Sequence, residues 1–460
     1  MSVLSLEFLA LSLGSAVFLW IFSYPNRKYT LALCNLVFLW LLSANLLDIA
    51  YVLGLFLYTY LFGLLLGKGK ARKWLLVFIV LLPILGLAFF KYAGYFLVDR
   101  RILMPLGLSF YTFKAISYLV DVYKGICVCA KNPIEVFDYI VFFPAFMAGP
   151  IHRPGPFLEE LRGPFHFEYK DQKNGFVLAA LGLFQKLVIG DQLAHLMRIF
   201  LDSSLNGAYT LLGVILYAFY IYVDFDSYSN VAIGVARMFG FHLERNFHTP
   251  YLAVSIRDFW QRWHISLSSW LRDYVYIPLG GSRKGTFLKY INTLIVFLVS
   301  GIWHGSTMMF IVWGLGHGIL NILEDLIRKL FGGVKPWMKW FAPLAIVLNF
   351  VLVASLWMFF QAGSMQEALD VFARIASGNL LRLDYALAGI TKNEWMWMWI
   401  LLGMVVFTDI LRYFFPMIEV LSKQFILFRW IIYAALIIIA IIFGVYGPGY
   451  DPANFIYVTF

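Results

Sequence analysis

Long uncharged apolar runs alternate with short polar segments along the whole chain. Residues 75–90, 344–360 and 431–445 carry no charge and almost no polar side chain. With their flanking residues, these runs are long enough to cross the hydrocarbon part of a bilayer. They lack the alternation of a strand, and a spanning segment must satisfy its own backbone hydrogen bonds. The pattern therefore predicts an all-α polytopic membrane protein with roughly ten to twelve transmembrane helices.

The composition supports a membrane location and changes how the net charge is interpreted. Hydrophobic residues make up 62% of the 460-residue chain, and charged residues make up 13%. An average soluble protein has about 25% charged residues. The net charge of +10 would suggest nucleic acid as a partner of a soluble protein. Here the basic residues cluster at the ends of apolar runs, so we expect the lipid bilayer, and no nucleic acid, as the partner.

Two basic segments determine the predicted topology. Residues 26–28 follow the first apolar run, 4–24, which has no basic leader and no cleavage site and therefore predicts a retained span. Residues 68–73 are also basic, and two further spans separate them from 26–28. Both segments should then lie on the cytoplasmic side, which puts the N-terminus on the opposite side of the membrane.

The middle of the chain, residues 104–318, differs from its two ends. It contains Pro, Gly, Asp, Arg and His at positions that the hydropathy pattern puts at membrane depth. Such residues are tolerated in a bilayer only where they line a cavity or are enclosed by protein. We therefore predict one domain, 1–460, in which helices of 1–103 and 319–460 surround a polar-lined central tunnel with re-entrant or interfacial helices. No tandem repeat is visible, which argues against an inverted-repeat transporter.

His304 lies between two apolar runs, in the sequence Ser-Gly-Ile-Trp-His-Gly. An ionisable side chain at membrane depth is costly and marks a functional site by default. Imidazole also transfers protons near neutral pH. Gly301 and Gly305 leave room for a backbone or a substrate to approach closely. A catalytic histidine and a core histidine with satisfied hydrogen bonds are the two interpretations.

A second histidine, His264, lies in a strongly patterned segment. At about 100° per residue, most apolar side chains of 258–274 fall on one arc, opposite the charged and hydroxyl side chains, and Ile265 is the only clear misfit. The residues on the apolar arc are Trp260, Trp263, Leu267, Trp270, Leu271 and Tyr274. The pattern predicts one amphipathic helix with His264 at the edge of its apolar face. An interfacial helix with a structural histidine would give the same pattern.

A glycine-rich loop, residues 278–285, follows this segment and contains Arg283 and Lys284. Exposed backbone amides and two cations could bind phosphate groups. The Gly-Lys-Ser/Thr order of a P-loop is absent. A basic cytoplasmic loop without a ligand would look the same.

Other polar residues at membrane depth suggest structural roles. Asp224 and Asp226 interrupt an apolar helix and could be ion-transport carboxylates, but the Tyr and Ser residues around them favour structural caps. His317 is interpreted as a helix-packing residue. His152, in a Pro-rich loop that cannot be a regular helix, is interpreted as structural.

Several stretches together resemble the membrane-bound O-acyltransferase family, in particular its bacterial alginate and glycan O-acetyltransferase branch. The most specific motifs are Arg-Asp-Phe-Trp-x-Arg-Trp-His, which ends at His264, and Trp-His-Gly, which contains His304. The matching stretches are 104–118, 143–154, 224–236, 257–285, 301–305, 313–318 and 454–460. One departure is Asp226-Ser227, where this branch has Ser-Gly, which puts the role of Asp226 in doubt.

The resemblance implies an enzyme that takes acetyl groups from cytoplasmic acetyl-CoA, with the phosphates of the donor near Arg283 and Lys284. The acyl group would enter a tunnel lined by the segments of Asp224 and Trp263. His304 would act as general base on a hydroxyl from the far side, and His264 would orient or polarise the thioester.

The same resemblance implies a bacterial cytoplasmic membrane as location and an extracytoplasmic acetyltransferase as partner protein. The final acceptor would be a polysaccharide or peptidoglycan, and neither a metal nor a prosthetic group is expected. D-alanyl transfer, lysophospholipid acylation and proton-coupled transport are the alternatives. The related D-alanyl transferases usually lack the 278–285 loop, which favours acetyl transfer.

Overall fold

In the computed structural model of the protein, the regular secondary structure of the described residues is entirely helical. The described residues are 6–22, 27–43, 45–69, 71–96, 104–164, 166–202, 204–332 and 340–446. Within these ranges there is no β-strand, and nine helices are long and apolar enough to cross a membrane. A shorter apolar helix, Ala10–Ile21, lies in the first predicted span. The predicted class, an all-α polytopic membrane protein, is therefore confirmed.

Two predictions fall partly or wholly beyond the described residues. The aromatic ending, 454–460, lies outside them, as do the first residues of the apolar run 4–24.

The chain divides into two compact units.

The first unit comprises the chain up to Leu183 and the segment Tyr228–Arg245. Its helices are α1 (Leu6–Phe22), α2 (Arg27–Leu42), α3 (Leu46–Leu66), α4 (Lys73–Phe96), α5 (Leu108–Tyr123), α6 (Pro133–Val141), α7 (Pro154–Arg162) and α8 (Tyr169–Phe184).

One of the cations used to predict the topology has a structural role in this unit. Arg27, the first residue of α2, is buried. Its guanidinium donates hydrogen bonds to the carbonyl oxygens of Glu160, Phe239 and Gly240. A buried cation needs such partners, because burial removes its hydration. Arg27 therefore joins three chain segments and is not simply a surface charge.

The second unit comprises Phe184–Ser227 and Asn246–Tyr450 and contains all the predicted site residues. Its helices are α9 (Asp191–Phe200), most of α10 (Ala208–Met238), α11 (Ile256–Arg262), α12 (Ile265–Leu271), α13 (Thr286–His304), α14 (Met308–Leu330), α15 (Ala342–Gln361), α16 (Met365–Ser377), α17 (Lys392–Phe414), α18 (Met417–Ser422) and α19 (Ile426–Phe443).

Burial differs sharply among the spans. Of the apolar stretch of α10, 83% is buried by protein, whereas none of α19 is. A helix that is apolar all round and unburied faces lipid. A long helix enclosed by protein can carry polar residues at membrane depth, and α10 is the helix that carries Asp224 and Asp226.

Candidate active site

The segment 258–274 is not one continuous helix, and that prediction was wrong. α11 ends at Arg262, Trp263 is extended, and His264 has a left-handed backbone with φ 42° and ψ 53° before α12 begins. A left-handed conformation costs a residue with a Cβ about 1–2 kcal/mol. Such strain persists only where the surroundings hold it, and it is concentrated at functional sites.

The break at His264 is held by the chain segment that precedes α11. The backbone N–H of Ile265 donates to Asn246 O (2.9 Å), and Ser266 Oγ donates to Asn246 Oδ1 (2.6 Å). The N–H of His248 donates to Arg262 O (3.0 Å). The extended segment thus replaces hydrogen bonds that a continuous helix would have made, which is why the helix can stop at this point.

The imidazole of His264 is fully buried and does not lie at a helix edge. Its ring is perpendicular to that of Phe225, with centroids 4.7 Å apart, and lies 6.2 Å from Trp303. Burial lowers the pKa of His264 to about 3, because the cationic form loses its hydration. The ring is therefore neutral at pH 7 and can interact with a ligand through hydrogen bonds without a charge.

Trp263 is also buried, in an aromatic cluster of the second unit. Its indole lies 4.9 Å from Phe247, 5.4 Å from Phe259 and 4.8 Å from Trp357, measured between ring centroids. These contacts explain why Trp263 leaves the helical path together with His264. Its predicted contribution to donor binding stays a prediction.

His304 is the last residue of α13 and is 3% exposed. Its ring is surrounded by Trp303, Trp313 and Phe360 at centroid distances of 4.7, 4.9 and 5.3 Å. Aromatic walls of this kind exclude water, which strengthens hydrogen bonds and charges inside the site.

The glycines around His304 allow α13 and α14 to pack closely. A Cβ at Gly305 would overlap the ring of Phe310, and a Cβ at Gly301 would overlap the carbonyl oxygen of the same residue. On the facing helix, a Cβ at Gly314 would collide with Phe297 O. The close approach predicted from the glycines is therefore an approach of protein to protein.

His264 and His304 both contact the indole of Trp303. Trp303 lies 6.2 Å from the ring of His264 and 4.7 Å from the ring of His304. The two imidazole centroids are therefore no farther apart than the sum of these distances. The structure thus brings together the two histidines that the sequence singled out, although 40 positions separate them in the chain.

Asp224 is paired with a buried cation. Lys186 Nζ lies 2.6 Å from Asp224 Oδ1 and 2.8 Å from Asp191 Oδ1. Lys186 is part of a wider π-helical turn, 185–190, between α8 and α9. The side chains of Lys186 and Asp224 are almost fully buried, and a buried carboxylate requires such a partner.

Asp226, which stands where the alginate and glycan O-acetyltransferase branch has serine, also has a cationic partner. Arg412 of α17 lies 2.7 Å from Asp226 Oδ2, and Gln185 Nε2 donates to the same oxygen at 3.2 Å. One helical turn earlier on α17, Asp409 accepts a hydrogen bond from Tyr222 at 2.8 Å. These contacts give Asp226 a structural role.

Arg283 and Lys284 are exposed in a tight turn. Gly280, Gly281 and Gly285 have φ values of 107°, 58° and 93°, which only glycine adopts without strain. The turn immediately precedes α13, whose 19 residues extend about 28 Å. The two cations and His304 therefore lie at opposite ends of one helix and are not brought together.

Two further histidines that the sequence analysis interpreted, His152 and His317, are buried. His152, in the first unit, accepts the hydroxyl of Tyr139 at its carbonyl oxygen (3.0 Å), as expected of a structural residue. His317, in the second unit, accepts a hydrogen bond from Trp260. No three His, Cys, Asp or Glu side chains converge as metal ligands would in the part of the chain that the structure describes.

Several site residues were not predicted. Lys186 and Arg412 could have been found, because a lone cation in an apolar run needs a carboxylate partner. Trp303 adjoins His304 in the motif and could have been considered with it. Asn246 and Phe360 carry no signal in the sequence pattern.

Buried histidines among membrane-spanning helices are typical of a functional site, and two of them inside an aromatic enclosure fit an integral membrane enzyme. Residues 130–365 match the membrane-bound O-acyltransferase family, MBOAT. The chain belongs to this family and is an O-acyltransferase.

Named relatives transfer different acyl groups. The chain is 34% identical over 368 residues to a probable alginate O-acetylase of Azotobacter vinelandii, an alignment that covers 74% of this chain and 71% of the relative. It is 31% identical over 389 residues to the peptidoglycan O-acetyltransferase of Helicobacter pylori, with 72% of each chain covered. It is 30% identical over 263 residues to a teichoic acid D-alanyltransferase of Bacillus subtilis, with 54% of this chain and 66% of the relative covered.

Proposed function

We propose that the protein transfers an acetyl group from cytoplasmic acetyl-CoA to a hydroxyl group on the other side of the bacterial cytoplasmic membrane. His304 is the general base that removes the proton of the acceptor hydroxyl, and His264 orients or polarises the thioester. An extracytoplasmic partner protein completes the O-acetylation of a polysaccharide or peptidoglycan.

One observation carries the proposal: His264 and His304 contact the same indole, that of Trp303, inside an aromatic enclosure. A general base needs a position next to the reacting hydroxyl, and a second polar group must hold the acyl carbonyl. Exclusion of water also protects the acyl group from hydrolysis. A pair of buried imidazoles in such an enclosure suits acyl transfer better than it suits transport of ions.

The ion pairs of α10 argue against the transport alternative. Asp224 and Asp226, the carboxylates that could relay ions, lie within ion-pair distance of Lys186 and Arg412. Breaking a buried ion pair by freeing one partner is costly, so the pairs favour a structural role.

The test uses purified protein in liposomes with labelled acetyl-CoA and a soluble oligosaccharide, whose hydroxyl groups stand in for the hydroxyl acceptor of the partner protein. We expect release of CoA thiol and label on the acceptor, without net proton flux. Proton flux without release of thiol would replace the proposal by the transport alternative.

D-alanyl transfer is the second candidate, favoured by the similarity to the teichoic acid D-alanyltransferase. The same assay with a D-alanyl thioester as competitor separates the two donors. Preference for D-alanyl over acetyl would assign the protein to that reaction.

The double substitution Arg283→Glu/Lys284→Glu tests the donor site. Two cations on an exposed loop should attract the phosphates of acetyl-CoA, so we expect the apparent KM for acetyl-CoA to rise, with a smaller effect on kcat. The effect should shrink as salt is added, because exposed charges are screened over about 8–10 Å at physiological ionic strength.

Two controls accompany this charge reversal, because it also removes a topology signal. Labelling of a cysteine introduced by Ser282→Cys reports whether the loop still faces the cytoplasm. The matched reversal Lys68→Glu/Arg72→Glu changes the charge of another exposed basic segment by the same amount. An unchanged KM in a correctly inserted protein would place the donor phosphates elsewhere.

A pair of substitutions at His264 separates the imidazole from its strained backbone. His264→Ala removes the ring and keeps the left-handed strain, whereas His264→Gly removes both. We expect both variants to lose acyl transfer, and we expect the glycine variant to unfold at a temperature no lower than the alanine variant. Acyl transfer that survives in His264→Gly would show that the backbone break matters and the ring does not.

A further inference from the structure

The imidazole ring of His317 is stacked against two phenylalanine rings, and this arrangement is called the slot below. His317 lies on α14, one helical turn after Trp313, and is fully buried. Its ring is stacked on Phe259 (6.1 Å, 5°) and on Phe297 (6.3 Å, 19°). Its Nδ1 accepts a hydrogen bond from Trp260 Nε1 at 3.3 Å.

Packing alone does not account for a histidine in this slot. Because Nδ1 accepts a hydrogen bond, the proton of the neutral ring is on Nε2. Among the residues described by the structure, no hydrogen-bond acceptor for this Nε2–H is found. An unpaired buried donor costs more than one neutral hydrogen bond returns. A phenylalanine at position 317 would stack between the same two rings and bury no Nε2–H, but it would leave the N–H of Trp260 without its acceptor, so stacking alone does not require a histidine here and the hydrogen bond to Trp260 does.

The two tryptophans that contact His317 also lie next to the two halves of the candidate active site. Trp260 is on α11, the helix that ends immediately before the break at His264. Trp313 lies 5.3 Å from His317 and 4.9 Å from His304. The rings of Trp260 and Trp313 are 5.9 Å apart. His317 therefore contacts both indoles that adjoin the two halves of the site.

We propose that His317 is a positioning residue for acyl transfer. By accepting the N–H of Trp260, it fixes α11 against α14 and thereby fixes the relative orientation of His264 and His304. This inference rests on the roles that the proposed function gives to those two histidines, but it does not depend on which acyl group is transferred.

The test is a cycle of substitutions that remove the acceptor, the donor or both. Acyl transfer is measured with the thioester that the wild type turns over, acetyl or D-alanyl. His317→Phe keeps the stacking and removes the acceptor, and Trp260→Phe removes the donor. We expect each to lower kcat about 10- to 100-fold, as small misplacements of catalytic groups do, with a much smaller change of KM. The double variant should be no slower than the slower single variant.

Two further variants distinguish positioning from folding. His317→Asn places an amide oxygen near the position of Nδ1, so we expect it to recover most of kcat. The thermal midpoint of His317→Phe should stay close to that of the wild type, because the unpaired Nε2–H that the substitution removes offsets the N–H of Trp260 that it leaves unpaired. Trp399→Phe, at an exposed tryptophan, is the matched control and should keep the wild-type kcat. If His317→Phe does not accumulate, Trp260→Phe and His317→Asn test the same hydrogen bond.

Three results would overturn the inference. In the first, the double variant loses kcat by the product of the two single losses. In the second, His317→Asn loses as much kcat as His317→Phe, and in the third, the single variants raise KM at constant kcat. The proposed function fails separately. It fails if the wild type accepts another acyl thioester and not acetyl-CoA, or if His304→Ala keeps wild-type activity.

Discussion

Replacing His304 with alanine is expected to lower the turnover number of acyl transfer by about 10²–10⁴-fold, the usual contribution of a general base. The change also affects packing, because the ring is buried against Trp303, Trp313 and Phe360. The alanine variant therefore leaves a cavity as well, and cavities in cores destabilise. His304→Gln fills more of the space and separates the loss of the base from the loss of packing.

The measurement is kcat in liposomes, together with the thermal midpoint of each variant in detergent. His195→Ala is the matched control, because His195 is an exposed histidine of the same unit. We expect the control to keep its activity and both His304 variants to lose theirs. Wild-type kcat in a folded His304→Gln protein would contradict the assignment of His304 as the base.

Replacing Lys186 with methionine is expected to destabilise the folded protein by about 3–5 kcal/mol, the usual cost of leaving a buried ion pair without one partner. Lys186 is within 2.8 Å of two carboxylates, those of Asp191 and Asp224. Methionine fills a similar volume without the charge, so both carboxylates lose a cation. The free energy of unfolding is measured by denaturant titration of the purified protein in detergent.

Two companion variants decide whether the effect comes from the buried charges. Lys392→Met makes the same change at an exposed lysine and should alter the free energy of unfolding by less than about 0.5 kcal/mol. Lys186→Met/Asp224→Asn removes one of the carboxylates that has lost its cation and should recover part of the stability. A Lys186→Met protein as stable as the wild type would mean that the ion pairs do not hold the helices together.

The class of the protein and its two main histidines could be predicted because both depend on how lipid treats polar groups. Long uncharged runs have few options other than spanning helices, and a histidine among them is costly enough to indicate a function. The same cost predicts that Asp224 and Asp226 have charged partners. For Lys186 and Arg412 it would also have predicted ion pairs within the membrane, but the sequence could not have said which carboxylate pairs with which cation.

The break at His264 could not be predicted. Apolar and polar positions keep a helical period straight through 258–274, so the local pattern gives no reason to end a helix. The reason is tertiary: Asn246 accepts hydrogen bonds from the backbone N–H of Ile265 and the hydroxyl of Ser266, just after the break. The same applies to the burial of His264, since the rings of Phe225 and Trp303 come from distant parts of the chain.

The length of α13 has a thermodynamic consequence. One end of this helix carries the exposed turn with Arg283 and Lys284, and the other end carries His304, about 28 Å away. That distance is close to the thickness of the hydrocarbon region of a bilayer. Under the proposed function, in which the donor binds at one end and the acceptor at the other, the enzyme would couple two compartments. The group-transfer potential of a thioester made in one compartment would then drive ester formation in the other, where no activated acyl donor and no nucleotide need be present.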